Sequence, residues 1–218
     1  ADSDEEDWMA SGLYYQWGRK DPFVGGKYYM STVDQSMYNA DGKWVGITYL
    51  QTAKSRGTIA YTIENPLTYL YGIESTNYDW LFAERNNSLW SGETKSMYDP
   101  CPAGYVVEEG WGVYNNRYTF TGVGKYGLYY TCPKTGNLAW FPLSGYRNHA
   151  SGKASSIGSN FNIWAVPTMG TDNGKISAVR WSANATNTTT NQLCYLDYNQ
   201  LSQAFSVRCR VMDRTPLQ

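Results

Sequence analysis

The sequence predicts an α+β domain of short antiparallel strands, few helices and long loops, and three observations carry that expectation. First, the 218-residue chain is rich in Trp, Tyr and Gly (9, 20 and 21 residues), and charged residues make up only 17% of it. The usual charged share is about a quarter, and disordered chains show the opposite balance. Second, strand-like runs are short and aromatic, and several alternate. Third, long polar stretches separate those runs.

The runs fall at residues 13–17, 44–50, 126–131, 138–141, 178–181, 192–198 and 205–211. In Phe205-Ser206-Val207-Arg208-Cys209-Arg210-Val211 the period of two is that of a half-buried strand. Helical patterning is scarce. Residues 34–40 suit one short helix, residues 47–56 suit strand or helix, and a second helix over residues 63–70 is limited by Pro66, which a helix accepts at its first turn. The polar stretches cover residues 74–88, 148–162, 168–175 and 184–192. Ordered loops of that length are more often functional than incidental.

A net charge of −1 and a pI near 5.9, without a basic stripe, give nucleic-acid binding no support. No run of eighteen apolar residues is present to span a membrane. The acidic residues 1–11 read as a linker or a trimmed start, residues 12–213 as one domain, and residues 214–218 as a tail. Cys101, Cys132, Cys194 and Cys209 form an even set without a C-x-x-C pair, which favours disulfides over a metal site, with reduced and buried thiols as the alternative; the other signs of a location outside the cytoplasm favour disulfides. Four cysteines allow three pairings, all open at this level.

The search for chemistry returns little. His149 is the lone histidine, so a Ser-His-Asp or Cys-His arrangement depends on it. No G-x-S-x-G surrounds a serine, and His/Cys metal ligands are too few. Carboxylates are scattered and no motif marks a glycosidase pair. Gly122-Val123-Gly124-Lys125-Tyr126-Gly127 spells G-x-G-x-x-G, but Leu128-Tyr129-Tyr130-Thr131 continues as strand where a phosphate-binding helix should open. It reads as a glycine turn. No cofactor and no metal are expected.

Four segments, in order, resemble a known family. They are Gly12-Leu13-Tyr14-Tyr15-Gln16-Trp17-Gly18-Arg19-Lys20-Asp21-Pro22-Phe23; Tyr98-Asp99-Pro100-Cys101-Pro102-Ala103-Gly104-Tyr105; Leu143-Ser144-Gly145-Tyr146-Arg147 with Ser151-Gly152 and Ile163-Trp164-Ala165; and Phe205-Ser206-Val207-Arg208-Cys209. Together they resemble the Fibrobacter succinogenes major paralogous domain and its Bacteroidetes surface-protein relatives, over residues 12–213. The resemblance implies a C-type-lectin-like fold: small twisted antiparallel sheets, two short helices and long loops. Kin of that fold include formylglycine-generating enzymes and the variable proteins of diversity-generating retroelements. It also implies the pair Cys101–Cys209, leaving Cys132–Cys194; the rival is Cys194–Cys209 with Cys101–Cys132. Trp17, Trp164, Arg147 and Arg208 lie inside the motifs and read as buried aromatics and hydrogen-bonded arginines.

The calcium-dependent sugar signature of true C-type lectins is not matched: Glu64-Asn65-Pro66 shares only composition with it and lies too early, and no Trp-Asn-Asp follows. The catalytic cysteines of formylglycine-generating enzymes are not matched either. The expected function is an extracellular ligand-binding or adhesion domain of a bacterial surface protein, not an enzyme. Its partner would be a glycan or a host or bacterial surface protein. The contact face falls in the C-terminal half, at Asn148, His149, Asn160, Asn162, Trp164, Trp181, Asn184, Asn187, Tyr195 and Tyr198. Tyr and Trp supply rigid contact area there, and Asn supplies adaptable hydrogen bonds. The alternatives are a tip or cap subunit of a surface filament, with a fimbrial or upstream-domain partner, and a glycan-active enzyme.

Overall fold

The structure, a computed structural model, describes residues 12–26, 31–76, 78–82, 86, 88–92, 94–108, 119–123, 127–131, 135–164, 171–172, 175–176 and 200–212. In chain order the strands are β1 (Tyr15–Gln16), β2 (Met37–Tyr38), β3 (Trp44–Val45) and β4 (Thr48–Gln51). Helix α1 (Ile59–Glu64) follows, then β5 (Thr68–Tyr71) and a 3₁₀ turn (Glu74–Thr76). The remaining strands are β6 (Tyr105–Val107), β7 (Thr119–Val123), β8 (Gly127–Thr131), β9 (Leu138–Pro142), β10 (Tyr146–Arg147), β11 (Ala154–Ser155), β12 (Ile163–Trp164), β13 (Thr171–Asp172), β14 (Lys175–Ile176), β15 (Ala204–Val207) and β16 (Cys209–Val211).

These strands form small, mostly antiparallel sheets. β15 organises a five-stranded sheet of order β1-β15-β10-β11, with β12 also on β15. Its register sets Tyr15 opposite Phe205 and Gln16 opposite Ala204, Arg147 opposite Ala204, and Ile163 beside Ser206 in the parallel sense. β7-β8-β9 is a three-stranded antiparallel sheet, and the other sheets have two strands, with β4 and β5 parallel.

Three of the four motif segments build the five-stranded sheet, and the second is tied to it by the core and the disulfide. Tyr14 and Phe23 exchange backbone hydrogen bonds of 2.9 and 2.7 Å, closing a loop whose turn uses Gly18 at φ 78°. A Cβ at position 18 would lie 2.4 Å from the Leu89 side chain, so glycine is required both for the conformation and for the approach. Within the loop the buried Gln16 amide donates to Leu70 O (2.8 Å) and Ser202 O (2.9 Å). Arg19, 3% exposed, donates to Gln16 Oε1, Thr68 O and Pro66 O. The loop therefore knits β1 to β5 and to the segment before β15 through side chains that satisfy carbonyls far along the chain.

The core is aromatic. Trp17, Trp90, Trp164 and Phe205 cluster with Cys101, Val107 and Leu201, with ring centroids 4.8 Å apart for Trp17–Trp90 and 4.3 Å for Trp164–Phe205. Buried indoles need an acceptor, and Trp164 and Trp90 donate to Tyr15 O and Tyr98 O. In the second motif, buried Asp99 accepts from the N–H groups of Cys101 (2.8 Å) and Val107 (3.1 Å) and pairs with Lys95 at 2.7 Å. That carboxylate shapes the turn entering β6. A disulfide joins Cys101 to Cys209, with Cα atoms 5.7 Å apart. Its geometry excludes the rival pairings that use either residue; Cys132 and Cys194 lie outside the described residues.

Several sequence expectations are corrected. Residues 34–40 are not helical: Met37–Tyr38 is a strand, because Asn39, Asp41 and Gly42 supply a hairpin turn. The run 44–50 is two strands broken at Gly46. The ambiguous run 47–56 contains strand β4. Helix α1 lies before Pro66 and not after it. Thr58 caps its start by accepting the Tyr61 N–H at 3.2 Å, and proline disfavours helical geometry in the residue preceding it. Residues 68–71 are β5. The 205–211 run divides at Arg208 into β15 and β16. Among the described residues there is one α-helix and one 3₁₀ turn where two helices were expected. The glycine-rich segment lies between β7 and β8, which pair antiparallel; its residues 124–126 lie outside the described residues. Residues 178–181 and 192–198 lie outside the described residues, as do 1–11 and 214–218. No described helix is long and apolar enough to cross a membrane.

Candidate ligand-binding cleft

Residues 32–37, 44–47, 49 and 153 line an open cleft of about 630 Å³, within the range of small-molecule sites. Its first wall is residues 32–37. Gly26 and Asp34 form a β-bridge, and the Gln35 N–H donates to Gly25 O at 2.9 Å, so this wall is held to the preceding segment. Ser31 turns the chain by accepting the Val33 N–H at 3.0 Å.

The second wall is β3 and the residues after it. β2 and β3 pair as Met37 with Val45 and Tyr38 with Trp44. The connecting turn is fixed by Asn39, whose side-chain oxygen accepts the N–H groups of Asp41 (3.1 Å) and Lys43 (2.8 Å), and by Gly42 at φ 71°. Trp44 is 64% exposed, yet its ring is placed: a Cβ on Gly46 would stand 2.5 Å from the indole. Glycine at 46 thus lets the ring lie along the strand and line the cleft.

The floor is a polar network. Buried Arg147 donates to Val24 O (3.0 Å), Gly152 O (2.8 Å), the Tyr49 hydroxyl (3.1 Å) and Asp34 Oδ1 (2.9 Å). The Tyr49 hydroxyl in turn donates to Asp34 Oδ2. Burial pushes the Tyr49 phenol up from its usual range, against the pull of Arg147 and with the help of the bond to Asp34, so it stays a protonated donor near neutrality. Lys153 comes from the β10–β11 turn and places its ammonium 3.9 Å from the Tyr49 ring centroid. Thr32, Gln35 and Ser36 also line the cleft, and their side chains have no hydrogen-bond partner among the described residues.

The expected contact residues are placed differently. Asn162 and Trp164 are fully buried; Asn162 donates to Gly145 O at 2.9 Å and Trp164 belongs to the core. Neither presents a surface, and both are corrected to structural roles. Asn160 is half-buried in the turn before β12, and its carbonyl accepts the Gly145 N–H at 2.7 Å. Asn148 shapes the β10–β11 turn by accepting the Ala150 N–H at 2.8 Å; its backbone N–H donates to Lys153 O at 2.9 Å. Asn148 is therefore joined to the cleft through the turn that carries Lys153. Trp181, Asn184, Asn187, Tyr195 and Tyr198 lie outside the described residues. The cleft residues Asp34, Trp44, Tyr49 and Lys153 were missed. The sequence signal that marks them is Asp41-Gly42 between Tyr38 and Trp44, a hairpin pair flanked by aromatics.

His149 packs edge-on against Tyr78, with ring centroids 4.8 Å apart. Its Nδ1 is buried with no partner among the described residues, and burial holds the imidazole below its usual value. An unfolded histidine titrates near pH 6.5. Above that pH His149 is neutral in both states. As pH falls through 6.5 the unfolded chain takes the proton first, so stability declines until the folded value is reached and then levels. Thermal melts from pH 7.5 to 5 should show wild type losing stability relative to His149→Gln as pH falls. Parallel melting curves would remove His149 as the cause. Among the described residues no three His, Cys, Asp or Glu side chains group as a metal site would need.

No family model, curated protein or solved structure matches the chain.

Proposed function

We propose that this chain is an extracellular, non-catalytic binding module of C-type-lectin-like fold, akin to the Fibrobacter major paralogous domain, and that it holds a glycan in the cleft between residues 32–37 and Trp44. The observation that carries this reading is the pairing of an exposed, positioned indole with polar side chains that have no partner among the described residues, across an open cleft. A sugar ring stacks its C–H face on an aromatic plane while its hydroxyls take hydrogen bonds from groups such as Gln35 and Ser36. The cleft replaces the C-terminal-half loops as the contact surface favoured among the described residues. Short strands, sparse helix and the convergence of the motif segments around β15 support the fold. The Cys101–Cys209 disulfide supports a location outside the cytoplasm.

The test is binding of the isolated domain to a glycan array and to the hits in calorimetry. Trp44→Ala removes a stacking face that contributes roughly 1–2 kcal/mol, so affinity falls about tenfold. Trp44 is exposed, so the melting temperature should hold, since surface substitutions shift stability by about 0.5 kcal/mol or less. Gly46→Ala should also weaken binding, because its methyl occupies the place of the indole. An array without hits, or Trp44→Ala binding as wild type does, sinks the reading.

A further inference from the structure

We infer that the ligand of this cleft is an acidic glycan, whose carboxylate or sulfate is met by Lys153 while a neighbouring ring lies on Trp44. The inference rests on the glycan reading above and adds its charge class.

The argument is a charge balance. Asp34 and Lys153 are the charged side chains among those lining the cleft. Asp34 is already answered: Arg147 pairs with it at 2.9 Å, and Tyr49 donates to its second oxygen. Both carboxylate oxygens are engaged from within the protein. Lys153 is not answered. Its ammonium has no carboxylate within ion-pair distance among the described residues and rests on the Tyr49 ring face. A ring quadrupole attracts the cation but does not neutralise it. Among the described residues the cleft and its floor therefore carry one negative and two positive groups, of which the Lys153 charge is uncompensated.

The backbone that carries that charge is also fixed. The Lys153 N–H donates to Ser151 Oγ at 3.3 Å and its carbonyl accepts the Asn148 N–H at 2.9 Å. Tyr49, beneath the ammonium, is fixed by Asp34 and Arg147. An ammonium donates hydrogen bonds and accepts none, which suits an anionic acceptor and repels an amino sugar. Carboxylate and sulfate share this chemistry, and the experiment separates them.

The experiment uses the whole chain and matched oligosaccharides: lactose, 3′-sialyllactose and 3′-sulfolactose, with galabiose against digalacturonate, after a glycan array graded by charge. Wild type should bind the acidic members about tenfold or more tightly than their neutral counterparts. The preference should shrink between 50 and 500 mM NaCl, because a surface charge is screened. Lys153→Met should reduce the preference to about twofold or less, and Lys153→Arg should keep most of it. Whether the sialylated and uronate probes or the sulfated one gain more decides between carboxylate and sulfate. Equal binding of neutral and acidic probes, or a preference that survives Lys153→Met, overturns this inference and leaves the glycan reading standing. Binding to nothing on the array overturns both.

Discussion

Replacing Arg147 with Met should destabilise the protein by about 3–5 kcal/mol, the range for breaking a buried ion pair by removing one partner. Arg147 has no solvent exposure and holds four sites together: Val24, Asp34, Tyr49 and Gly152. The first lies 123 residues away in sequence and the second 113. Methionine fills much of the volume but returns none of the donors, so two carbonyls lose this donor and the Asp34 carboxylate loses its counter-charge. Domains of ordinary stability hold about 5–15 kcal/mol in total, and each kcal/mol moves the midpoint by about 2–4 °C at this size. The expected drop in melting temperature is thus about 10 °C. Arg147→Lys should recover less than half, since a compact ammonium cannot reproduce a planar fork of donors. Adding Asp34→Asn to Arg147→Met should restore stability in part, because it removes the uncompensated charge. A double variant no more stable than Arg147→Met would show that the charge on Asp34 is not what the arginine answers.

The same arginine shows what the sequence makes legible. Its placement in Leu143-Ser144-Gly145-Tyr146-Arg147 marks it as a structural, hydrogen-bonded residue, and that is the role it has. The short aromatic runs also locate β8 and β9 to within a residue or two, with buried Leu128 and Phe141 opposite each other, and the 205–211 run locates β15 and β16 without the break at Arg208. Where the expectation fails, tertiary partners override local pattern. Residues 34–40 have apolar spacing that suits a helix, but Asp34 is drawn into a bridge with Gly26 and a pair with Arg147. Asn39 then spends its side chain on the hairpin turn. Competition of that kind is why Asn and Asp side chains favour turns over helix interiors.

The candidate site was harder to read than the fold, for a physical reason. Its residues come from sequence positions 32–37, 44–49 and 153, and they meet through the β2–β3 pairing and the Asp34–Tyr49–Arg147 network. Nothing local ties Lys153 to Tyr49. Asn-rich loops with aromatics favour the C-terminal half by composition, yet composition does not say which side chains are exposed. Asn162 and Trp164 point inward because Gly145 O and Tyr15 O need donors. Trp44 points outward because Gly46 offers its ring a place on the strand.

Removing the Cys101–Cys209 cross-link should destabilise the protein by about 2–5 kcal/mol, and the effect should be global. The bond spans 108 positions of a 218-residue chain, so in the unfolded chain it closes a loop of about half the molecule, and loop-closure entropy grows with that length. In the folded state it fastens a short ladder. β6 and β16 pair from Tyr105–Val211 to Val107–Cys209, extended by Glu108 N–H to Arg208 O and by Met212 N–H to Gly104 O, each 3.0 Å. A two-stranded ribbon of this length is marginal unaided. Cys101 adds a second anchor: it is buried against Trp17 and Trp90, and its N–H is held by Asp99. The variant Cys101→Ala/Cys209→Ala should therefore melt about 5–15 °C lower, while the single variants fall at least as far and leave a free thiol. Hydrogen exchange separates the two contributions. If the cross-link acts through the unfolded chain, protection should fall by a similar free energy in β15 and β5 as in β6 and β16. If it acts only as a local fastener, protection should fall in β6 and β16 alone, and the loop-closure account would be wrong. Wild type treated with a reductant at neutral pH should reproduce the double variant's melting temperature to the extent that this bond sets it.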